Sequence, residues 1–254
     1  MSSTKDLSDD DLLQYSRQIM LPQIDVCGQE KLLASKIIVL GAGGLGCPAL
    51  MYLASSGVGE IVVVDPDAIE RSNIQRQILY NSEDIGKFKA QVAAEKLQAY
   101  SENIKLEAIN AKPDSQALLN MVAGADAVLD GTDNFASRYL HNEICLKSKT
   151  PLISGAVIRF EGQVTSFDHR LLDSPCYHCL YPQASDESLN CSENGVLGPV
   201  AGMVGAMMAT ETIKLLLNIG EGVTGRLLLL DALHAEWRSV RLRKDPACSV
   251  CANG

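Results

Sequence analysis

The sequence has no excess of basic residues, and this absence limits the partners that the chain can bind. Lysine and arginine together number 22 against 31 aspartates and glutamates, which gives a formal net charge of -9 at pH 7. Nucleic-acid binding needs a basic face that neutralises phosphates. We therefore expect no nucleic-acid partner, and a small partner or substrate instead.

The sequence also lacks the segments that direct a chain to or across a membrane. The first residues do not combine a basic segment with an apolar one, and the longest apolar run, residues 198–210, is too short to span a bilayer. We predict a buried helix for that run, no membrane partner and a cytoplasmic protein. A chain of 254 residues suits a single domain, 1–254, with parts at 1–34, 35–156 and 157–254.

Short apolar runs alternate with helical segments over most of the chain. Strands are predicted at 36–40, 60–65, 104–109, 127–130 and 151–156, and helices near 9–20, 87–100, 116–121 and 135–147. Continuously apolar strands are typical of a parallel sheet covered by helices on both faces. The sequence thus predicts an α/β fold, a doubly wound Rossmann-like sheet.

The alternation of strands and helices stops after residue 156. Residues 162–167 predict a strand that forms an antiparallel hairpin with the preceding one. Further strands are predicted at 227–230 and around Val240 and Leu242, which alternate with arginines so that one face should be buried. The sheet is therefore expected to be mixed, parallel in its N-terminal part and antiparallel in its C-terminal strands.

A glycine-rich loop follows the first predicted strand and opens a helix. It contains Gly41, Gly43 and Gly44, and Asp65 ends the next strand. Glycines let the backbone approach phosphates, the helix N-terminus offers free amides, and an acid in this position accepts hydrogen bonds from ribose hydroxyls. The loop predicts a nucleotide site, and by itself it would suit an NAD-dependent oxidoreductase.

The polar residues beyond Asp65 favour a triphosphate over a dinucleotide. Cationic groups around a phosphate chain neutralise the charge that grows as pyrophosphate leaves, which hydride transfer does not require. Arg71 and Lys87 are interpreted as solvated surface charges. The predicted ATP-binding residues of this stretch are Asp67, Ser72, Asn73, Arg76, Gln77 and Lys89.

A second polar segment, Thr132, Asp133 and Asn134, follows the strand at 127–130. Strands of a parallel sheet end at the same edge, so we expect these residues to face the same crevice. One carboxylate beside a triphosphate is enough for Mg²⁺, which makes Asp133 a candidate ligand. The alternative is that Asp133 caps the helix that begins at residue 135.

The eight cysteines include two C-x-x-C pairs, Cys176 with Cys179 and Cys248 with Cys251. Four thiolates in this arrangement suit a closed tetrahedral zinc site, although the gap between the pairs exceeds that of a zinc ribbon. Redox pairs or coincidence remain alternatives at this point. Cys191 lies apart, in a polar segment where exposure is expected.

Taken together, these residues resemble the MoeB/ThiF/HesA family of adenylyltransferases, bacterial relatives of ubiquitin-activating enzymes. The resemblance covers nearly the whole chain, through residues 15–18, 41–46, 65–77, Lys89, 132–134, 190–191 and the paired cysteines. It implies an enzyme that uses ATP to adenylate the C-terminal glycine carboxylate of a small ubiquitin-like sulfur carrier ending in Gly-Gly, with release of pyrophosphate. The expected carrier is the small subunit of molybdopterin synthase, with the thiamine sulfur carrier as the alternative.

The resemblance also implies roles for individual residues. Asp65 would bind ribose, Asn73, Arg76 and Lys89 the phosphates, and Asp133 the magnesium. Arg17, in the helical arm 1–34, would reach the phosphates from the other subunit of a homodimer. The paired cysteines would hold structural Zn²⁺ in the carrier-binding part 157–254, beyond the nucleotide-binding core 35–156.

Two expectations concern sulfur. Some relatives in the thiamine branch use a cysteine at the position of Cys191 to carry the activated acyl group or sulfur, and elsewhere the matching thiol is dispensable. No rhodanese-like region follows Cys251, so a separate sulfur donor protein is expected. A nucleotide-sensing scaffold without catalysis is the non-enzyme alternative.

Overall fold

The computed structural model describes residues 7–100, 102–183 and 195–252. The helices within these ranges are α1 Asp9–Gln14, α2 Ser16–Ile19, α3 Asp25–Leu33, α4 Gly46–Ser55, α5 Lys89–Leu97, α6 Ser115–Val122, α7 Phe135–Ser148, α8 Tyr177–Leu180 and α9 Gly198–Leu217. The strands are β1 Lys36–Leu40, β2 Glu60–Val64, β3 Lys105–Ile109, β4 Ala127–Asp130, β5 Leu152–Ile158, β6 Glu161–Phe167, β7 Arg226–Asp231 and β8 Glu236–Arg241.

The described strands form a single sheet in the order β3-β2-β1-β4-β5-β6-β7-β8. The first five strands pair in parallel, and β5 to β8 pair antiparallel with their neighbours along the chain. The predicted mixed sheet is thereby confirmed, including the hairpin of β5 and β6. Because β1 lies between β2 and β4, the chain reverses its winding direction between β1 and β4.

Alternate residues of the central strands enter two separate cores. Ile37 and Val39 of β1 pack with α3, α4, α5 and α9 on one face, whereas Ile38 and Leu40 pack with α6 and α7 on the other. Burial on both faces explains why these strands are apolar without interruption. The two helical layers hold the strand ends, and the loops that leave them, in fixed positions.

The predicted buried helix is α9, whose 20 residues extend beyond the expected end at residue 210. By length and composition alone it is apolar enough to cross a membrane. In the fold it packs across α4, β5 and β6, with Val200, Val204 and Met208 at most 1% exposed. These contacts account for its apolar composition through burial in the core.

Two elements differ from the sequence expectations. The helix predicted at 9–20 begins with the expected capping box of Ser8 and Asp11, but it divides into α1 and α2 at Tyr15, whose ring turns inward and is 3% exposed. The expected buried face of the last strand is wrong for Val240, which is 48% exposed. Strand β8 lies at the edge of the sheet, and every residue in it is exposed.

Candidate active site

A cavity of about 580 Å³ opens at the carboxyl edge of the sheet, beside the ends of β1 and β4. The chain leaves these strands toward opposite faces, so the cavity occupies the switch point at which α/β sheets bind ligands. The predicted nucleotide residues that line it are Gly41, Gly43, Gly44, Asp65, Asp67, Ser72, Arg76, Gln77, Lys89, Thr132, Asp133 and Asn134.

Only some glycines of the glycine loop are needed to maintain its backbone conformation. Gly41 has a φ of 91°, and a Cβ on Gly46 would overlap the carbonyl oxygen of Gly41. A Cβ on Gly43 or Gly44 would have its nearest neighbours at 3.6 and 3.5 Å, which is ordinary contact. The fold therefore requires Gly46, whereas Gly43 and Gly44 keep the loop open toward the cavity.

The N-terminus of α4 faces this loop without a side-chain cap. Leu45 stands at the N-cap and has no polar atom to accept from the first-turn amides. The amide of Cys47 donates to the carbonyl of Gly43 at 2.9 Å and Pro48 has no amide hydrogen, which leaves the amide of Gly46 in this turn. This amide and the helix dipole together attract an anion. The loop and the helix thus form a site suited to a phosphate group.

Asp65 connects the glycine loop to the end of β2. One carboxylate oxygen accepts from the amide of Ala42 at 2.7 Å, and the other accepts from the amide of Asp67 at 2.9 Å. Burial raises the pKa of Asp65, and the nearby charge of Lys89 opposes that increase. Each oxygen still has a lone pair for a ribose hydroxyl, which agrees with the predicted role.

Two cationic side chains enter the cavity from the segment after β2. The Lys89 ammonium is 2.8 Å from Asp67, and Lys89 is 7% exposed while the Asp67 side chain is 65% exposed. Arg76 is half-buried and donates to the carbonyl of Ser72 at 2.9 Å. Each cation is held by a polar partner before any anion binds, which reduces the entropy cost of binding.

The loop after β4 is anchored by buried side chains of α7 and β4. Asp130 is fully buried and accepts from the Thr132 hydroxyl at 2.6 Å and from the His141 Nδ1 at 2.9 Å. Arg138 donates to the carbonyls of Thr132 and Gly155 at 2.5 and 3.2 Å. Although burial opposes it, the pKa of Asp130 is lowered by His141, Arg138 and Thr132.

Asp133 is held at the surface of the cavity by this anchored loop. Asn134, and not Asp133, caps α7 through an acceptor contact with the amide of Ser137 at 2.9 Å. Within the described ranges, the Asp133 carboxylate has no hydrogen bond or ion pair. Because Asn134 is the cap, the capping alternative for Asp133 is wrong. An exposed carboxylate beside a phosphate site fits a Mg²⁺ ligand.

Two predicted residues within the described ranges, Asn73 and Arg17, lie outside the lining of this cavity. Asn73 is buried in its own turn, where its side-chain oxygen accepts from the amide of Glu70 at 3.2 Å. Arg17 is exposed on α2, away from the cavity of its own chain. Cys191 lies outside the described residues.

The cavity also contains residues that the sequence analysis did not select. Arg138 and His141 lie one and two turns into α7, where nothing in the sequence separates a cavity-facing position from a surface one. Lys112 and Pro113 follow β3, and their position just beyond a strand end was a usable signal.

A second cavity, of about 290 Å³, adjoins the first. Asp133, Arg138 and Val157 line both cavities. The second one continues between β5, β6 and β7 toward Arg238 of the edge strand β8.

The four predicted metal ligands meet in one cluster, with every Sγ within 4.8 Å of the others. Sγ separations of 3.9 Å for Cys176 and Cys179, 3.7 Å for Cys176 and Cys248, and 3.4 Å for Cys179 and Cys251 are too long for disulfides. A tetrahedral Zn²⁺ site has sulfurs about 3.8 Å apart. The geometry fits a closed site of four thiolates, in agreement with the predicted zinc ligands.

The four-cysteine cluster is joined to the helix that carries the cavity residues. The amide of Tyr177, which follows Cys176, donates to the side chain of Asn142 on α7 at 2.8 Å, and Asn142 is fully buried. Arg138 of the same helix contacts the Tyr177 hydroxyl at 3.4 Å. The cluster therefore helps to position α7, although it does not line either cavity.

Comparison with known proteins assigns the arrangement to one family. The ThiF family model matches residues 15–250. A molybdopterin-synthase adenylyltransferase of Salmonella typhimurium is 41% identical over 97% of this chain and 98% of its own. A sulfur carrier protein ThiS adenylyltransferase of Escherichia coli is 43% identical over 96% of this chain and 97% of its own.

The same fold occurs in a crystal structure of E. coli MccB with ATP. That chain superimposes with a TM-score of 0.81 at 25% identity, over 94% of this chain and 75% of its own. ATP is also the nucleotide predicted for this chain from its sequence.

Proposed function

The chain belongs to the ThiF family, and we propose that it is an adenylyltransferase that uses ATP to activate the C-terminal glycine carboxylate of a small ubiquitin-like sulfur carrier. One observation carries the proposal, namely that the first cavity, which contains the glycine loop, and the second cavity meet at Asp133 and Arg138. ATP would occupy the first cavity and the carrier's Gly-Gly end the second.

The reaction requires the two anions to be held together. A carboxylate oxygen of the carrier attacks the α-phosphorus, the bond to the bridging oxygen of the β-phosphate breaks, and pyrophosphate leaves with that electron pair. The attacking group is already deprotonated, so no general base is needed. The arrangement supplies position and charge, which are the main contributions of enzymes to phosphoryl chemistry.

Each cavity residue has a part in this step. Asp65 accepts hydrogen bonds from the ribose hydroxyls. The N-terminus of α4 and the side chains of Arg76 and Lys89 hold the phosphates. Arg76 and Lys89 also stabilise the charge that develops on pyrophosphate. Asp133 would hold Mg²⁺, which when bound neutralises phosphate charge. The four-cysteine cluster would hold Zn²⁺ as a structural ion, since a closed site has no open coordination position.

The carrier that we propose is the small subunit of molybdopterin synthase. A relative named for molybdopterin synthase covers nearly all of both chains, which supports this choice. The thiamine sulfur carrier is the second candidate because a relative named for ThiS is similar to the same degree. We also propose a homodimer and a separate sulfur donor protein. The family match favours adenylation over an NAD-dependent oxidoreductase.

ATP–pyrophosphate exchange with each purified carrier tests the proposal directly. Exchange should depend on a carrier, and the molybdopterin subunit should support it better than the thiamine carrier. Tight NADH binding without ATP binding would refute adenylation. ATP binding without exchange on either carrier would favour a nucleotide-sensing scaffold.

Substitutions test the assignment of the cavity residues. Lys89→Ala and Asp133→Ala should each reduce exchange by roughly 10²- to 10³-fold, since each removes one charged contact to the phosphates or their cation. Bound zinc should be unchanged. Lys87→Ala and Asp173→Ala are matched controls because both residues lie outside the two cavities. Exchange at the wild-type rate in the first pair would show that the site is assigned incorrectly.

A further inference from the structure

The nucleotide cavity has two chemically different ends. Around Gly44, the nearest neighbours are Arg76 and Ala201, on the side of the sheet covered by α9. At the other end, Leu40, Val64 and Leu118 belong to the core on the side of α6 and α7. Asp65, which accepts from the glycine loop, lies at the end of β2 between the two.

This division fixes the direction of a bound nucleoside triphosphate. The phosphates need amides and cations, the ribose needs the acceptor Asp65, and the flat purine ring gains most from the apolar end. The glycine loop and Asp65 are linked by the hydrogen bond from the amide of Ala42, so phosphates at that loop and ribose at Asp65 direct the base toward the apolar end. The base therefore lies beside Leu118, Leu140 and His141, and its polar edge meets whatever polar atoms that end provides.

His141 is a polar side chain at this apolar end, and its ring has a defined orientation. Its Nδ1 is 2.9 Å from an oxygen of Asp130, which is fully buried and also accepts from Thr132. A carboxylate can only accept, so Nδ1 carries the proton, and in the neutral ring Nε2 is left as an acceptor. Within the described ranges no residue donates to Nε2.

We propose that His141 is a specificity-determining residue of the nucleotide site, whose Nε2 accepts a hydrogen bond from the 6-amino group of adenine. The inference rests on the proposed function, because it assumes that the cavity binds a purine nucleotide. The 6-amino group is the hydrogen-bond donor on the outer edge of adenine, and a 6-oxo purine presents an acceptor there instead. Two facing acceptors repel, so the site selects adenine over hypoxanthine or guanine.

The proposal assigns Asp130 a positioning role toward the base. By holding Nδ1–H, Asp130 determines which ring nitrogen is the acceptor, and by holding Thr132 it fixes the start of the loop that carries Asp133. One buried carboxylate thus connects recognition of the base with the magnesium ligand.

Nucleotide selectivity provides the test. Binding of ATP, inosine triphosphate and purine riboside triphosphate is measured by titration calorimetry on the whole chain. The wild type should prefer ATP to inosine triphosphate by roughly 10- to 100-fold, the value of a buried polar contact that is made or left unpaired. Purine riboside triphosphate, which has only hydrogen at C6, should bind with intermediate affinity.

Replacement of the acceptor should remove this preference. His141→Leu should lower the ratio of ATP to inosine triphosphate affinity by roughly tenfold or more, whereas His141→Gln, which retains an acceptor oxygen, should keep most of it. His234→Leu is the matched control, since His234 is exposed outside both cavities. A general loss of fold weakens all three ligands alike and leaves the ratio unchanged. His141→Phe replaces the leucine variant if that variant does not fold.

The outcomes separate this inference from the function on which it rests. An ATP preference in His141→Leu equal to that of the wild type, with ATP still bound, overturns the role of His141 alone. Failure of the wild-type chain to bind any of the three nucleotides overturns the proposed function as well.

Discussion

At the scale of single residues, the glycine loop separates what the fold requires from what the ligand requires. Gly46 has no room for a Cβ because the carbonyl of Gly41 occupies that space, whereas Gly43 has room and lines the cavity. A methyl group on Gly43 would therefore occupy space that the phosphates need. We therefore expect alanine to reduce ATP binding when it replaces Gly43 and to reduce stability when it replaces Gly46.

Gly43→Ala should leave the thermal midpoint near that of the wild type and weaken ATP binding by roughly 10-fold or more, because the added methyl blocks close approach of the phosphates. Gly46→Ala should lower the free energy of unfolding by about 3 kcal/mol or more through overpacking. Thermal denaturation and nucleotide titration of both variants check these expectations. Equal loss of stability in the two variants would contradict the distinction.

A second residue-scale prediction concerns His169, which stacks on Phe167 with ring planes 12° apart. Burial lowers the pKa of His169 from 6.5 to about 4, against the opposing charge of Asp168. The unfolded chain therefore binds a proton at His169 more tightly than the folded chain does. The contribution of the buried neutral ring to the free energy of unfolding is complete above pH 6.5 and is lost as the pH falls toward 4. The loss amounts to about 3 kcal/mol.

Urea unfolding between pH 6.5 and 4 measures this contribution. His169→Phe keeps a stacked ring and removes the proton, so its stability should fall less steeply with acidity than that of the wild type. His234→Phe, at a side chain that is 66% exposed, serves as the control. Identical slopes for wild type and His169→Phe would exclude the buried histidine as the cause.

Sequence alone located the residues whose type is dictated by position at a strand end. Gly41 and Asp65 follow parallel strands directly, Thr132 follows one after a single residue, and parallel strands end at a common edge. Lys89 begins a helix and was found through its charge. His141 and Arg138 were not found, since their approach to the cavity depends on how α7 packs. Asn73 was selected for its polar side chain, which its own turn uses as a cap.

At the scale of elements, the four-cysteine cluster joins the short helix α8 to the turn after β8. Its ligands come in two pairs 72 residues apart in the chain, and no spacing rule determines that the pairs meet. Their meeting follows from β6, β7 and β8 returning the chain across the sheet. The same return leaves β8 exposed, which the alternation of Val240 with arginines did not reveal.

Loss of the cluster should therefore act on stability first. Cys248→Ser should abolish zinc binding and lower the thermal midpoint by roughly 10 °C, because a structural zinc site contributes several kcal/mol to folding. Metal analysis and thermal denaturation are the measurements. Cys27→Ser is the control, since Cys27 is an exposed cysteine outside the cluster. Full stability of Cys248→Ser without zinc would show that the cluster is not a structural metal site.

At the scale of the whole molecule, the site within one chain does not include Arg17. This residue lies on α2, and the flanking apolar side chains Leu13, Met20 and Leu21 are 76%, 71% and 49% exposed. An exposed apolar surface around a cation is typical of an interface. In a two-fold dimer the same surface of each subunit covers the other, so each Arg17 can enter the cavity of the partner subunit.

Mixed dimers distinguish this arrangement from a site completed within one chain. Arg17→Ala and Lys89→Ala should each be inactive in pyrophosphate exchange. When the two are mixed and allowed to exchange subunits, a hybrid has one cavity with an intact Lys89 facing an intact Arg17. Random mixing should restore roughly a quarter of the wild-type activity. If Arg17 served its own chain, each cavity of the hybrid would retain one defect and mixing would restore nothing. A mixture of Lys89→Ala with Asp133→Ala is the control that should stay inactive, because both residues line the cavity of the same chain.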